Sequence, residues 1–190
     1  MKQLHEFDEV FDSQKTFRIL LEAMANPFRE LSIAEASEKM YGGHPQLLAV
    51  AMTLLDNEVS FHVCGDEDLA EQIRLLTHAK ETDLADADYI FLTDHTQLET
   101  AVQAAKIGTL EDPHKGATLI VENSGEKSIL GTFYGPGIDD LIDKRITELM
   151  HQAVCIRDEQ EYEYPQGIDY IFVTKDGAIS CIPRLVLRGK

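Results

Sequence analysis

ADYIFLTD, Ala87 to Asp94, is the stretch on which the fold turns. Five residues from Tyr89 to Thr93 suit a buried strand, and Thr93 and Asp94 are side chains that cap helices. After His95, the eleven residues TQLETAVQAAK return to helical spacing. A buried strand feeding a capped helix is the unit of an α/β fold.

Working outward, the same alternation recurs. EVSFHVCG alternates like a strand and EDLAEQIRLLTHA is helical; GTLEDPHKG reads as a loop before the strand ATLIVEN. Upstream, Ser13 caps a helix in QKTFRILLEAMAN, with Phe17, Leu20, Leu21 and Met24 on one stripe and Pro27 as its stop. PQLLAVAMTLLD is a second helix with Pro45 in its first turn. Downstream, SILGTFY is a strand. IDDLIDKRITELMHQA reads as a helix whose stripe is Ile138, Leu141, Ile142, Ile146 and Leu149. DYIFVTK, a turn at Asp176-Gly177 and AISCIPR form a C-terminal β-hairpin. The expected architecture is a mixed β-sheet flanked by helices on both faces.

Acidic residues outnumber basic ones 34 to 17 in the 190-residue chain, a formal charge of −17. Such a surface repels nucleic acid and anionic membrane, and it suits solubility or a basic protein partner. No apolar run approaches the roughly 18 residues of a transmembrane helix. The acidic start MKQLHEFDEVF is unlike a secretory signal, so a cytoplasmic location is expected. Cys64, Cys155 and Cys181 read as reduced thiols, and His62 with Cys64 makes only half a metal site.

YGPGIDD, Tyr134 to Asp140, resembles a phosphate cradle. It lacks a Walker lysine and a third glycine, and Asp139 and Asp140 place negative charge where a phosphate would sit. A turn is the better reading. His114 and Lys115 beside Gly116 could hold an anion, although Glu111 and Asp112 oppose it. Ser60, His62 and Asp56 lack a nucleophile elbow. Asp83, Asp86 and Asp88 lack the rest of a calcium loop. Neither catalytic residues nor a metal site are expected.

The ending YPQGIDYIFVTKDGAISCIPR, Tyr164 to Arg184, joins a P-x-G-I-D strand to I-P-R one hairpin later. With SQKTFRILLEAMANP, LLDNEVSF, GTLEDPHKGATLIV and GPGI in the same order, it resembles the PhnH family, the H subunit of carbon–phosphorus lyase. Phe28 stands where that family usually has glycine after Pro27, so a turn of positive φ there would have to be built differently.

The resemblance implies one domain over residues 1–190, similar to the large domain of pyridoxal-phosphate-dependent transferases but using no cofactor. It implies a homodimer that joins G, I, J and K subunits and works with L. That system forms ribose 1-alkylphosphonate 5-triphosphate from ATP and alkylphosphonate and releases adenine, the nucleosidase-like step being given to the I subunit. The H subunit is then an accessory component, with phosphonate or ATP as candidate ligands. The alternatives are a stand-alone enzyme acting on a phosphonate or nucleotide, and an acidic interaction domain without a small ligand. Motif-matching polar residues are Arg18, Asp56, Asp169 and Arg184, which could grip an anion or form an internal Arg–Asp pair. Pro27, Gly108, Thr109, Pro113, Gly116, Thr118, Gly135, Gly137, Pro165, Gly167 and Pro183 match as loop positions.

Overall fold

The computed structural model describes residues 5–160 and 163–189. Among these, the strands β2 (Ser60–Cys64), β3 (Lys80–Glu81), β4 (Tyr89–Leu92), β5 (Thr118–Glu122) and β8 (Asp169–Val173) run parallel. The hairpin partner β9 (Ala178–Ile182) and the short β1 (Leu31–Ser32) complete a mixed seven-stranded sheet in the order β1-β9-β8-β5-β4-β2-β3.

Strand periodicity splits the core in two. Phe91, Ile120, Ile171 and Val173 point to one face, where they meet α1 (Phe11–Ala25), α3 (Pro45–Leu54) and α4 (Glu67–Thr77). Ile90, Leu92, Leu119, Val121, Tyr170 and Phe172 point to the other, under α5 (Leu98–Ala104) and α6 (Glu148–Asp158). Strands apolar on both faces need helices on both faces, so the expected architecture holds. A one-turn helix α2 (Ala34–Ser37) bridges β1 and α3.

Two expectations need correction. The segment 138–146 is not helical: β7 (Ile142–Ile146) pairs antiparallel with β6 (Ile129–Tyr134), and β10 (Leu187–Arg188) joins them in a second, three-stranded sheet. Ile142 and Ile146 are four residues apart, a spacing that lies on one side of a strand as well as of a helix. Pairing with β6 decides between them, and the helix begins only after Thr147, whose hydroxyl accepts the Met150 amide at 3.2 Å. Leu141, assigned to the buried stripe, is 58% exposed.

The first helix also differs. It starts at Phe11 with the Asp8 carboxylate accepting the Val10 and Phe11 amides, while the Ser13 hydroxyl donates to the Met52 carbonyl instead of capping. Its buried line is Asp12, Thr16, Leu20 and Ala23, leaving Phe17 and Leu21 exposed. The buried Asp12 pairs at 2.7 Å with the partly exposed Lys39, which holds this side of the helix inward. Burial alone would raise the Asp12 carboxyl, but the Lys39 ammonium and the Asp8 amide hold it below its ordinary value. No helix among the described residues is long and apolar enough to cross a membrane.

Candidate functional site

After β2 the chain crosses to β3 on one side, and then returns to β4 on the other. The carboxyl ends of β2 and β4 therefore flank a topological switch point, the place where open α/β sheets bind ligands. An open crevice of about 590 Å³ lies there, lined by His44, Gly65, Asp66, Glu67, Asp68, Thr93 and Asp94.

His44 organises this edge. One imidazole nitrogen, Nδ1, is in hydrogen-bond contact with Glu122 at the end of β5, and Nε2 lies 3.1 Å from Asp66 at the start of α4. Glu122 is buried and also accepts from Gln46 Nε2 at 3.2 Å, with Lys175 Nζ at 3.6 Å. The ring thus ties the start of α3, the start of α4 and the end of β5 together.

The same loops take up the donors that a ligand anion would use. Asp66 accepts the Asp68 and Leu69 amides at the N-terminus of α4, and Asp94 accepts the Thr96 amide and hydroxyl. Burial would raise Asp66, but the Leu69 amide, His44 and the Asp68 amide hold it below its ordinary value. Asp94 is lowered by the Thr96 hydroxyl, Gln97 and the Thr96 amide. A phosphate arriving here would meet carboxylates at capped helix ends. Asp94 is the cap expected of its strand; Thr93 instead donates to the Cys64 carbonyl and accepts the Asp66 amide. Among the described residues no three His, Cys, Asp or Glu side chains form a group able to hold a metal ion.

Asp169 and Arg184 meet at the opposite, amino-terminal edge of the sheet. Asp169 opens β8 beside Thr118, the first residue of β5. Its carboxylate accepts the Arg184 amide at 2.8 Å and Nε at 3.0 Å, and also contacts Nη2, while Nη1 donates to the Pro113 carbonyl. Gly116 lies beneath this clamp. A Cβ there would collide with the Gly167 carbonyl and stand 3.0 Å from Arg184 Nη1. Gly108 accepts from Gln166 Nε2, Gly167 donates to Ile107, and Thr109 exchanges bonds with Asp112. Pro165 follows a cis peptide, and the Pro183 carbonyl accepts from Arg157. The loops 107–117, 163–169 and 183–186 are in this way one knot around Arg184, which also borders a cavity of about 350 Å³ with Tyr164, Gln160 and Asp158.

Gly135 and Gly137 form a turn rather than a cradle. A Cβ on Gly137 would sit 2.7 Å from the Ala25 carbonyl and 2.8 Å from Pro27, so the turn packs directly on the end of α1. Phe28 adopts a positive φ of 63° itself, which corrects the expectation of a turn built differently.

The other sequence-selected groups are dispersed. Arg18 is exposed on α1, and Asp56 is exposed before β2, where it accepts the Glu58 amide. Ser60 bonds Asp88 rather than His62, which faces the Thr82 carbonyl. Lys115 is paired with Asp112 at 2.6 Å, so it is not an isolated cation. Sequence reasoning missed His44, Asp66 and Glu122. The signal for Glu122 was a carboxylate closing the apolar run TLIV.

The family model for bacterial phosphonate metabolism protein (PhnH) matches residues 6–187. A curated relative from Rhizobium meliloti (strain 1021), alpha-D-ribose 1-methylphosphonate 5-triphosphate synthase subunit PhnH, is 27% identical over 185 residues, covering 93% of this chain and 90% of its own.

Proposed function

The chain belongs to the PhnH family of bacterial phosphonate metabolism proteins, and from that premise we propose that it is an accessory subunit of the carbon–phosphorus lyase assembly in phosphonate catabolism. In this reading it assists the union of alkylphosphonate with the ribose of ATP, and other subunits carry the bond exchange. The observation that carries the accessory role is the switch-point crevice. Its helix N-termini are capped by Asp66 and Asp94, and its imidazole is held between two carboxylates. Triphosphate and phosphonate are both anions, so this lining opposes them.

The reading extends to a cytoplasmic homodimer, to G, I, J and K subunits as partners, and to L as a functional one. It also includes a fold akin to the large domain of pyridoxal-phosphate-dependent transferases. The acidic surface, at −17, suits recognition by proteins rather than by nucleic acid.

Adenine released from ATP and methylphosphonate, measured chromatographically, tests the proposal. The chain alone should release none, whereas G-, I- and L-like subunits should release more with it than without it. Robust release by the lone chain would sink the accessory role.

A further inference from the structure

Helix α1 has a second apolar line that the fold does not use. Its inner line, Asp12, Thr16, Leu20 and Ala23, is buried, yet Val10, Phe11, Phe17 and Leu21 are 71, 68, 46 and 53% exposed. Three large apolar side chains exposed on one helix, with a fourth at its N-cap, are more than the scattered surface residues of an ordinary domain.

The spacing of this line says what shape fits it. Val10 at the N-cap, the polar Gln14, Phe17, Leu21 and Met24, which packs partly on the core, advance by four, three, four and three residues. That is the 3.5-residue period with which one helix packs along another. Beside the seam stands Arg18, one turn from Gln14 and from Leu21. Lys15 is paired with Glu35, Arg29 with Glu22 and Lys39 with Asp12, whereas Arg18 has no ion pair among the described residues.

Arg18 also separates two occupants. Packing α1 antiparallel on a second copy of itself about Phe17 would bring the two Arg18 guanidinium groups together near the axis, which like-charge repulsion opposes. A different chain can place a carboxylate there instead. We propose that the outer face of α1 docks an amphipathic helix of another subunit, whose apolar residues follow the same seam and whose Asp or Glu meets Arg18. This rests on the reading of the chain as a subunit of the lyase assembly.

The test co-expresses the full chain with its organism's G-, I-, J- and K-like subunits and recovers the assembly through a tag on the G-like one. Phe17→Glu and Leu21→Glu should lower the amount recovered at least about tenfold, as loss of a central apolar anchor does. Arg18→Glu should lower it as well, and Arg18→Lys should lower it less. Leu75→Glu, at an exposed position on α4, should leave it unchanged, and melting curves of each purified variant should match the parent.

Full recovery of the folded Phe17→Glu and Leu21→Glu variants would overturn the docking site while leaving the subunit reading intact. Failure of the unaltered chain to assemble would overturn the subunit reading and the docking site with it. Conversion of a lone-chain dimer to monomer by Leu21→Glu would assign the face to a second copy and overturn the heterologous partner.

Discussion

Phe28 lays its ring on Phe133 with centroids 4.3 Å apart, and does so from a backbone conformation of φ 63°. Left-handed backbone costs a side-chain-bearing residue about 1 kcal/mol or more, so ring burial must offset local strain. The amide of Phe28 donates to Cys181, which holds the loop after α1 against β9.

Two substitutions separate the terms. Phe28→Ala removes the ring and keeps the strain, so it should cost about 3 to 4 kcal/mol. Phe28→Gly removes both and should be more stable than Phe28→Ala by about 1 kcal/mol. Urea titration of the two variants checks the order. An alanine variant at least as stable as the glycine one would show that φ carries no strain here.

For Arg184, the contacts predict a structural cost. Arg184→Ala strands the largely buried Asp169 carboxylate and frees the Pro113 loop, for a loss of about 3 kcal/mol. Gly116→Ala should destabilise through the same knot, because its neighbours are backbone and the clamp itself. Thermal melts measure both. An Arg184→Ala protein that melts with the parent yet no longer binds phosphonate or ATP would return Arg184 to the role of anion grip.

The layering of the fold was legible because strands such as YIFL and TLIV are apolar on both faces. The Ile142–Ile146 strand was not, since its apolar residues fit two periods and only pairing with the neighbouring Ile129–Tyr134 decides between them. Asp169 and Arg184 were legible through the motifs shared with the PhnH family, and a carboxylate inside an apolar strand then demands a partner. The His44 cluster could not, for its members are 22 to 78 residues apart and join only through the crossover of the sheet. Phe17 and Leu21 misled for a different reason. An apolar stripe shows that a helix has a packing face without showing which of two faces the core takes.

The cysteines should differ sharply in reactivity. Burial pushes the Cys181 thiol up to about 12 and Cys64 up to about 11, with Asp169 and Asp94 adding to each. Cys155 is raised too, first by burial, but it is only partly buried. A thiol reagent at pH 8 should label Cys155 alone in the native protein, and all three cysteines after unfolding. Native labelling of Cys64 or Cys181, read by mass spectrometry, would contradict the packing on either side of the sheet.

Acid should destabilise the protein through Asp12, Asp66 and Asp88. Each is held below the ordinary 3.8 in the folded chain, against burial, by bonds to Lys39, to the Leu69 amide and His44, and to Lys106 and Ser60 respectively. A carboxyl lowered by folding stabilises the fold above its unfolded value, and that stability disappears as pH falls through the folded value. Melting temperature should therefore stay level above about pH 5 and drop below about pH 4. Asp12→Asn should lower the plateau and flatten the drop. An unchanged slope in that variant would remove Asp12 from the account.

The His44 network allows the most demanding test, because its parts should not add. His44→Ala leaves Glu122 buried with Gln46 and the exposed Lys175, and should cost about 2 kcal/mol. Glu122→Gln alone removes the carboxylate that the imidazole faces, and should also destabilise. With His44 already replaced, the carboxylate at position 122 has lost its nearest partner, and a neutral amide suits the buried site better. Glu122→Gln should then cost less in the His44→Ala background than in the parent, by about 1 kcal/mol or more. If the accessory role is right, none of these variants should alter adenine release by the assembled subunits once the folded fraction is matched. Additive losses would show that His44 and Glu122 are merely neighbours. A folded His44→Ala subunit that abolishes release would instead make the crevice part of the chemistry.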